Sequence, residues 1–316
     1  MKPTENMDLA SRENAAPFTS TVFGWCRKDV SLEVSYRYWR DVHGVLFARV
    51  PGLYQYRQLH LAPNRSDVWP ALDGIDYTLP TADQPHGITQ ILFLSDENRQ
   101  TCGTSPLVTK YIHRDEQNLL ERKATSLSSD GNARTYIDRT GEATPNGEPA
   151  FSSFVVCFKQ KEGTSVEEFR HHLVEQVVRP WSEQNSVMRL RLHLLERYDV
   201  PASSPGVSQD WPKEKQYQAW IELMCKGEAS VQQLFSSGTG SSEHAKFIKA
   251  IHTFPVQAWY TLVYNGKPTD VGLRGFPAVQ TIEQAGANNQ KATDLLEILY
   301  GDVVHGLITR FKHASE

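Results

Sequence analysis

The segment YRYWRDVHGVLFARVPGLYQYRQLHL, residues 36–61, organises the chain because it predicts a helix, a tight turn and a strand in succession. An apolar stripe with helical i, i+3, i+4, i+7 spacing runs through its first half and comprises Tyr36, Trp39, His43, Leu46/Phe47 and Val50. Pro51-Gly52 ends the predicted helix, since proline cannot continue it and glycine adopts turn dihedrals at little cost. Residues 53–61 then alternate as a half-buried strand does. His43 therefore belongs to the apolar face of the helix.

The run WRDVHGVLFARVPGLYQY, residues 39–56, resembles the signature of the EthD domain. In that signature an aromatic-Arg-Asp-x-His segment precedes a Leu-Pro-Gly-type turn and a strand, and the histidine, the Pro-Gly and the downstream tyrosine stand here at the expected separations. The resemblance implies a small ferredoxin-like α+β unit of the dimeric α+β barrel superfamily. It also implies that His43 points into a cleft between helix and sheet, with Tyr36 and Trp39 lining that cleft.

Length and charge limit the classes of protein to consider. A chain of 316 residues is long for one compact domain and suits two domains of about 100–150 residues each. The 33 Lys and Arg against 37 Asp and Glu give a formal charge of −4, and no block of basic residues could neutralise a phosphate backbone. We therefore expect no nucleic-acid partner.

The termini and the cysteines predict a cytoplasmic protein without metal. Residues 1–18 are polar and lack the apolar core of a secretory signal, and no apolar run of about 18 residues occurs that would make a membrane partner plausible. The four cysteines are widely scattered without a CxxC motif, which favours reduced thiols over a zinc site or a disulfide framework; they are Cys26, Cys102, Cys157 and Cys225.

An internal repeat divides the chain. Sliding it by 133 positions lays FSSFVVCFKQKEGTSVEEFR, residues 151–170, on FTSTVFGWCRKDVSLEVSYR, residues 18–37, without a gap, and the register continues until His60 meets His193. We interpret this as a tandem duplication of a β-α-β-β-α-β unit, which is the ferredoxin-like order. Later predicted elements are a strand at 88–94, a helical stretch at 115–122 and a closing strand near 134–138, matched by a strand at 217–224, helical segments at 231–251 and a closing strand at 256–264.

The predicted fold class is α+β, with two tandem ferredoxin-like units that form a pseudo-dimer within one chain. Each sheet has one bare apolar face, and exposing it would cost about 25 cal/mol per Å², so the two sheets should cover each other. Because the partner is internal, a monomer or a homodimer is expected. The predicted parts are a flexible arm 1–16, a first unit 17–140, a linker 141–149, a second unit 150–268 and a C-terminal helical extension 269–316.

The two units differ at the position of the histidine. The repeat register places Gln176 opposite His43 and His172 opposite Trp39, so the signature is intact only in the first unit. A neutral imidazole on an apolar stripe can accept a proton, which suits a general base. The alternative is a core histidine that hydrogen-bonds a backbone carbonyl.

Missing motifs favour chemistry without a cofactor. The chain has no GxGxxG after a strand, GxxxxGK[ST], GxSxG or HExxH, which argues against nucleotide-dependent hydride or phosphoryl transfer, serine hydrolysis and zinc proteolysis. The resemblance implies a cofactor-free isomerase, dehydratase or other lyase, or monooxygenase that acts on a small hydrophobic, aromatic or polyketide-like compound. A non-catalytic binding or accessory protein that uses the same barrel pocket is the alternative. The candidate catalytic residues are His43 and Asp41, and the candidate binding residues are Tyr36, Trp39, Arg40, His60, His193 and His172.

Overall fold

The structure, a computed structural model, describes residues 8–197, 204–234 and 241–301. Its strands are β1 Phe18–Cys26, β2 Gln55–Leu61, β3 Gly87–Phe93, β4 Leu120–Ser128, β5 Ala133–Asp138, β6 Asn146–Gly147, β7 Ser152–Gln160, β8 Val187–Leu194, β9 Glu196–Arg197, β10 Ala219–Cys225, β11 Ile248–Tyr264 and β12 Lys267–Pro268. Its α-helices are α1 Leu9–Asn14, α2 Leu32–Tyr38, α3 Gly44–Phe47, α4 Asp96–Thr104, α5 His113–Leu119, α6 Val166–His172, α7 Arg179–Ser182, α8 Glu228–Leu234, α9 Ser241–Phe247, α10 Asp270–Arg274, α11 Phe276–Gln284 and α12 Thr293–Tyr300. Further helical segments are of the π type at Trp39–His43, Val108–Ile112 and Leu173–Val178 and of the 3-10 type at Thr81–Asp83, Lys213–Lys215 and Asn288–Lys291. None of these described helices combines the length and the hydropathy that a bilayer crossing requires.

Both units build antiparallel sheets with the same strand order. In the first unit the order is β4-β1-β3-β2, and in the second it is β11-β7-β10-β8. The first and third strands of each unit therefore lie in the middle of its sheet, as in the ferredoxin-like arrangement. Helices cover one face of each sheet and enclose an apolar core there. The predicted α+β class is confirmed.

Each unit also contributes strand residues that pair with the sheet of the other unit. The long strand β11 pairs with β7 through residues 248–255 and with β2 through residues 256–263. In return β5, which follows the first unit's last strand, pairs with β8 of the second unit. The exchange connects the described strands into one continuous twelve-stranded sheet.

Strand pairing corrects three sequence predictions. The predicted closing strand near Arg134–Asp138 belongs to the other unit's sheet, and the first unit is closed instead by β4. The predicted closing strand at 256–264 pairs with β2 of the first unit, and the second unit is closed instead by residues 248–255, part of which was predicted to be helical. The helical stretch predicted over Asp115–Arg122 ends at Leu119. The polar residues that follow were predicted to continue the helix, but they pair with β1 as strand β4. The buried ammonium of Lys123 on this strand is neutralised by the Glu116 carboxylate at 2.6 Å.

Local signals explain the first long helix. Ser31 caps it by accepting a hydrogen bond from the backbone N–H of Val34, and the chain then stays helical through α2, the π segment and α3. Gly52 follows with a φ of 86°, and a Cβ there would lie 2.2 Å from the carbonyl oxygen of Asn98. The predicted helix, turn and strand are confirmed, but β2 is buried at all of its positions rather than on one face.

The structure aligns the two units with an offset that is one position larger than the repeat register predicts, so that register is wrong by one. The helix cap Ser31 corresponds to the cap Ser165, and Trp39, the first residue of one π segment, corresponds to Leu173, the first residue of the other. The structural counterpart of His43 is therefore Val177 rather than Gln176.

A shift of one residue exchanges the faces of a strand. His60 stacks on Tyr36 and lies on the helix-covered face of its sheet. His193 stacks on Trp220, whose indole N–H donates to the Thr21 hydroxyl of the first unit, so this histidine lies between the sheets. The predicted equivalence of the two histidines is wrong.

The sheet faces that helices leave bare meet in a shared interior. Its apolar part takes residues from both units, among them Phe23, Trp25 and Leu59 from the first and Val155, Trp220 and Phe254 from the second. Burying these large side chains removes from water the surface that either sheet alone would expose. The two units thus supply each other's core.

The polar part of this interior is organised by α1. Glu13 is 2% exposed, and its carboxylate lies 2.9 Å from Arg57, 2.8 Å from Arg189 and 3.6 Å from Arg191. The prediction of a flexible arm is therefore wrong for residues 9–14, because a buried carboxylate held by three guanidinium groups fixes that helix. Residues 1–7 of the predicted arm lie outside the described part of the chain.

The C-terminal extension packs on the first unit's long helix. Arg49 donates hydrogen bonds to the carbonyl oxygens of Gly272 at 3.1 Å and Leu273 at 3.2 Å. The backbone N–H of Phe276 donates to Asp41 at 3.2 Å. Helices α10 and α11 thereby bind the helix that carries His43, and residues 302–316 of the predicted extension lie outside the described part.

Candidate active site

His43 ends the π segment of the first unit's long helix, where it faces α5. Its Nδ1 lies 2.8 Å from Oδ2 of Asp115, and the two side chains are 8% and 14% exposed. The two residues are 72 positions apart, so only the packing of two helices on one sheet brings them together. A histidine and a carboxylate thus meet in a largely water-excluded contact.

Asp115 is held by a second set of hydrogen bonds. The Tyr38 hydroxyl donates to its Oδ1, and the Asn118 side-chain amide donates to the same oxygen at 3.2 Å. Burial raises the pKa of the Asp115 carboxyl, but the hydrogen bonds from His43 and Tyr38 outweigh burial, and the net pKa is lowered. The carboxylate is therefore ionised near neutral pH.

An ionised carboxylate fixes the tautomer of the imidazole. Asp115 can only accept, so His43 donates through Nδ1–H, and the neutral form of the ring carries its lone pair on Nε2. No residue in the described part of the chain forms a hydrogen bond with Nε2. A base with an oriented ring and an unoccupied lone pair is the arrangement that general-base catalysis requires.

The predicted partner Asp41 lies elsewhere. Its Oδ1 accepts from Nε of Arg40 at 2.7 Å and from the backbone N–H of Phe276. Arg40 also donates to the Tyr260 hydroxyl at 3.2 Å and lies 4.9 Å from the Phe276 ring centre. The structure therefore places Asp41 and Arg40 at the contact with the C-terminal extension, and Asp115 occupies the place beside His43.

Three predicted binding residues form a stack under the helix. The ring of His60 lies 4.4 Å from Tyr36 and 5.1 Å from Trp39. Burial lowers the pKa of His60 to about 3, so its ring stays neutral. The Tyr36 hydroxyl donates to the carbonyl oxygens of Leu61 at 2.7 Å and His86 at 2.8 Å. These contacts make the stack a packing element between helix and sheet.

The remaining predicted binding residues lie in the second unit. His193 stacks 3.9 Å from Trp220, and its Nε2 lies 3.2 Å from the Gln90 amide nitrogen. His172 lies between helices, with its Nε2 3.0 Å from Nδ1 of His244, and burial lowers the pKa of His172 to about 4. The structure does not bring either residue to His43.

Asp115, Tyr38 and Asn118 were missed by the sequence reasoning. The separation of three residues between Asp115 and Asn118 places both on one helix face, and that spacing was the available signal. Tyr38 lies outside the apolar stripe, so the stripe gave no reason to select it. Among the described residues, no group of three or more His, Cys, Asp or Glu side chains is arranged to hold a metal ion.

Comparison with known proteins gives structural likeness only. No family model matches the chain, and no curated protein matches it in sequence, so the resemblance to the EthD domain rests on the quoted motif. A candidate monooxygenase from Fusobacterium nucleatum is similar with a TM-score of 0.42 at 10% identity, over 80% of this chain and 95% of that chain. A candidate monooxygenase from Lactobacillus acidophilus has a TM-score of 0.41 at 8% identity, over 78% and 96%. An anthrone oxidase-like protein has a TM-score of 0.43 at 8% identity, over 77% and 92%.

Proposed function

We propose that the protein is an enzyme that transfers a proton on a small hydrophobic, aromatic or polyketide-like compound, with His43 as the general base. The observation that carries the proposal is the 2.8 Å contact between His43 Nδ1 and Asp115, which leaves Nε2 free to accept a proton. The EthD motif around His43 supports the same residue. No cofactor is part of the proposal, and the reaction that follows proton removal is that of an isomerase, a lyase or, with dioxygen as the oxidant, a monooxygenase.

The chain's own residues account for each part of the step. Nε2 of His43 takes the proton from an acidic C–H or O–H group of the bound compound, and the imidazole becomes positively charged. The Asp115 carboxylate stabilises that charge and keeps the ring oriented. Tyr38 and Asn118 hold Asp115 in place through hydrogen bonds to its Oδ1.

The test uses His43→Ala and Asp115→Asn. Wild type and variants are incubated with a panel of hydroxylated aromatic ketones in D2O, and consumption and deuterium incorporation are followed by mass spectrometry. We expect His43→Ala to lose about 10²–10⁴-fold in rate, because general acid–base catalysis typically contributes that much. Asp115→Asn should lower kcat more than it changes KM, since the amide no longer fixes the tautomer.

Gln176→Ala is the control for this experiment. It lies one residue before Val177, the counterpart of His43 in the second unit, and we expect it to keep the wild-type rate. Circular dichroism establishes that each variant is folded. Wild-type turnover in folded His43→Ala would refute the role of the histidine.

A binding or accessory protein is the second candidate, and the low exposure of the pair favours it. With His43 only 8% exposed, the histidine and Asp115 can also serve as a bridge between two helices. In that case His43→Ala would lower the free energy of unfolding, and the wild type would bind members of the panel without converting them. Conversion of any member of the panel by the wild type would support the enzyme over the binding protein.

A further inference from the structure

A cleft of about 850 Å³ lies in the second unit, beside the first turns of α6. Its volume falls in the range of about 300–1,000 Å³ that small-molecule sites occupy. Apolar side chains line part of it, namely the exposed Val166 and the largely buried Leu195 and Tyr217. None of these residues contributes to the His43 site of the first unit.

The matching place in the first unit holds a smaller cleft of about 330 Å³, which is lined among others by Arg27, Lys28 and Asp29, the counterparts of Lys161, Glu162 and Gly163. There the Tyr36 hydroxyl spans the carbonyl oxygens of Leu61 and His86, and its ring stacks on His60. Arg170 is the structural counterpart of Tyr36, and it donates at 3.2 Å to the carbonyl of Leu195, the counterpart of Leu61. The same carbonyl is therefore contacted by a tyrosine in one unit and by a guanidinium in the other, and the cleft is larger in the second unit.

Positive charge collects in the cleft without equal neutralisation. The lining includes Arg170 and four lysines, which are Lys159, Lys161, Lys213 and Lys249. Of its three carboxylates, Glu162 pairs with Lys249 at 2.5 Å and Glu196 accepts from the Asn132 amide at 2.7 Å. Glu214, the third, is exposed.

Lys159 is the central cation of this group. It is half-buried, its ammonium donates to the carbonyl oxygen of Glu214 at 3.2 Å, and it lies 5.7 Å from the centre of the Tyr217 ring. It forms no ion pair with the described residues. Burial, and then the neighbouring Lys249, lower the pKa of Lys159, and the carboxylates of Asp83 and Asp76 offset this lowering only in part.

We propose that this cleft binds an organic anion with an apolar body, whose carboxylate meets Lys159 and Lys161 while its body lies against Val166, Leu195 and Tyr217. A charge-assisted hydrogen bond to a half-buried ammonium supplies the specificity for the anion. The apolar lining supplies the affinity for the body. The site is separate from His43 and does not depend on the proposed catalytic role.

The probe is 2-naphthoate, and 2-naphthylmethanol serves as its uncharged analogue. Binding to the full chain is measured by calorimetry and by ligand-observed NMR. We expect 2-naphthoate to bind and the alcohol to bind at least about tenfold more weakly, since one charge-assisted contact is lost. Equal affinity for the two compounds, or no binding of 2-naphthoate, would overturn the proposal.

Two variants test the location of the bound anion. Lys159→Gln should weaken 2-naphthoate about tenfold or more. Arg170→Tyr should also weaken it about tenfold or more, because it removes a cation from the cleft and introduces the tyrosine that stands beside the smaller cleft of the first unit. The control Lys110→Gln, an exposed lysine of the first unit, should bind as the wild type does. His43→Ala should also leave binding unchanged, which keeps this test independent of the proposed catalysis. Wild-type affinity in folded Lys159→Gln would refute the site.

Discussion

Replacing Glu13 by Gln should destabilise the whole chain, because this carboxylate neutralises guanidinium groups of both units. Arg57 and Arg191 make their only ion pairs among the described residues with Glu13, whereas Arg189 keeps Glu222 at 2.6 Å and Asp138. Removing one partner of a buried ion pair costs about 3–5 kcal/mol. At about 2 °C per kcal/mol for a chain of this length, we expect Tm to fall by about 6–10 °C.

The effect of Glu13→Gln should also depend on pH. Burial raises the pKa of Glu13, but Arg189, Arg57 and Arg191 outweigh it and hold the pKa well below the ordinary value of 4.5. A carboxyl whose pKa is lowered on folding stabilises the protein fully above its unfolded pKa, and this contribution is lost as the pH falls through the folded pKa. The difference between wild type and variant should therefore be complete at pH 7 and shrink progressively below about pH 4.5.

Urea unfolding at pH 7 and at several acidic pH values measures this difference. Glu148→Gln is the matched control, because Glu148 is an exposed carboxylate and its loss should change the free energy of unfolding by less than about 0.5 kcal/mol. If Glu13→Gln unfolded within about 1 kcal/mol of the wild type at pH 7, the buried network would not have the energetic role assigned to it.

Two further substitutions test the packing around the candidate site. Gly87→Ala should lower the free energy of unfolding by about 1–3 kcal/mol, since its Cβ would lie 2.4 Å from the Trp39 ring. The control Gly103→Ala should be neutral or stabilising, because Gly103 lies in a helix with open space around it. Equal urea midpoints for the two variants would contradict this prediction. Asp41→Ala removes the acceptor for the Phe276 N–H and should speed amide hydrogen exchange over residues 270–284, while the free energy of global unfolding falls by about 1 kcal/mol or less. Exchange at the wild-type rate over these residues would show that Asp41 does not hold the extension.

Local patterns predicted the first unit's helix and turn well. The apolar stripe, the Ser31 cap and Pro51-Gly52 act within a few residues of one another, so the sequence contains their whole cause. The partner of His43 has no such local cause. Asp115 lies 72 positions away and meets the histidine only because two helices pack side by side on one sheet.

The register error has a similar explanation. Matching residue types along the whole segment favoured an offset that is one position too small, while the two caps, Ser31 and Ser165, mark the true offset. A cap has a fixed geometric position, whereas apolar identities recur on both faces of a buried strand. The exchange of strands between units could not be predicted from the sequence. The sequences of β5 and β11 show the alternation of side chains that any strand has, and they contain no signal for which strand each one pairs with.

The path of β11 sets an order of events during synthesis. The edge of β2 pairs with residues 256–263, which are synthesised about 200 residues later. At a synthesis rate of about 5–20 residues per second, this edge stays unpaired for about 10–40 s. The second unit is spared this delay, since β5 is made before the strand β8 that it joins. An unpaired edge invites pairing with other nascent chains. The polar side chains of β2, Gln55, Arg57, Gln58 and His60, are thus suited to keep that edge soluble until the end of the second unit leaves the ribosome.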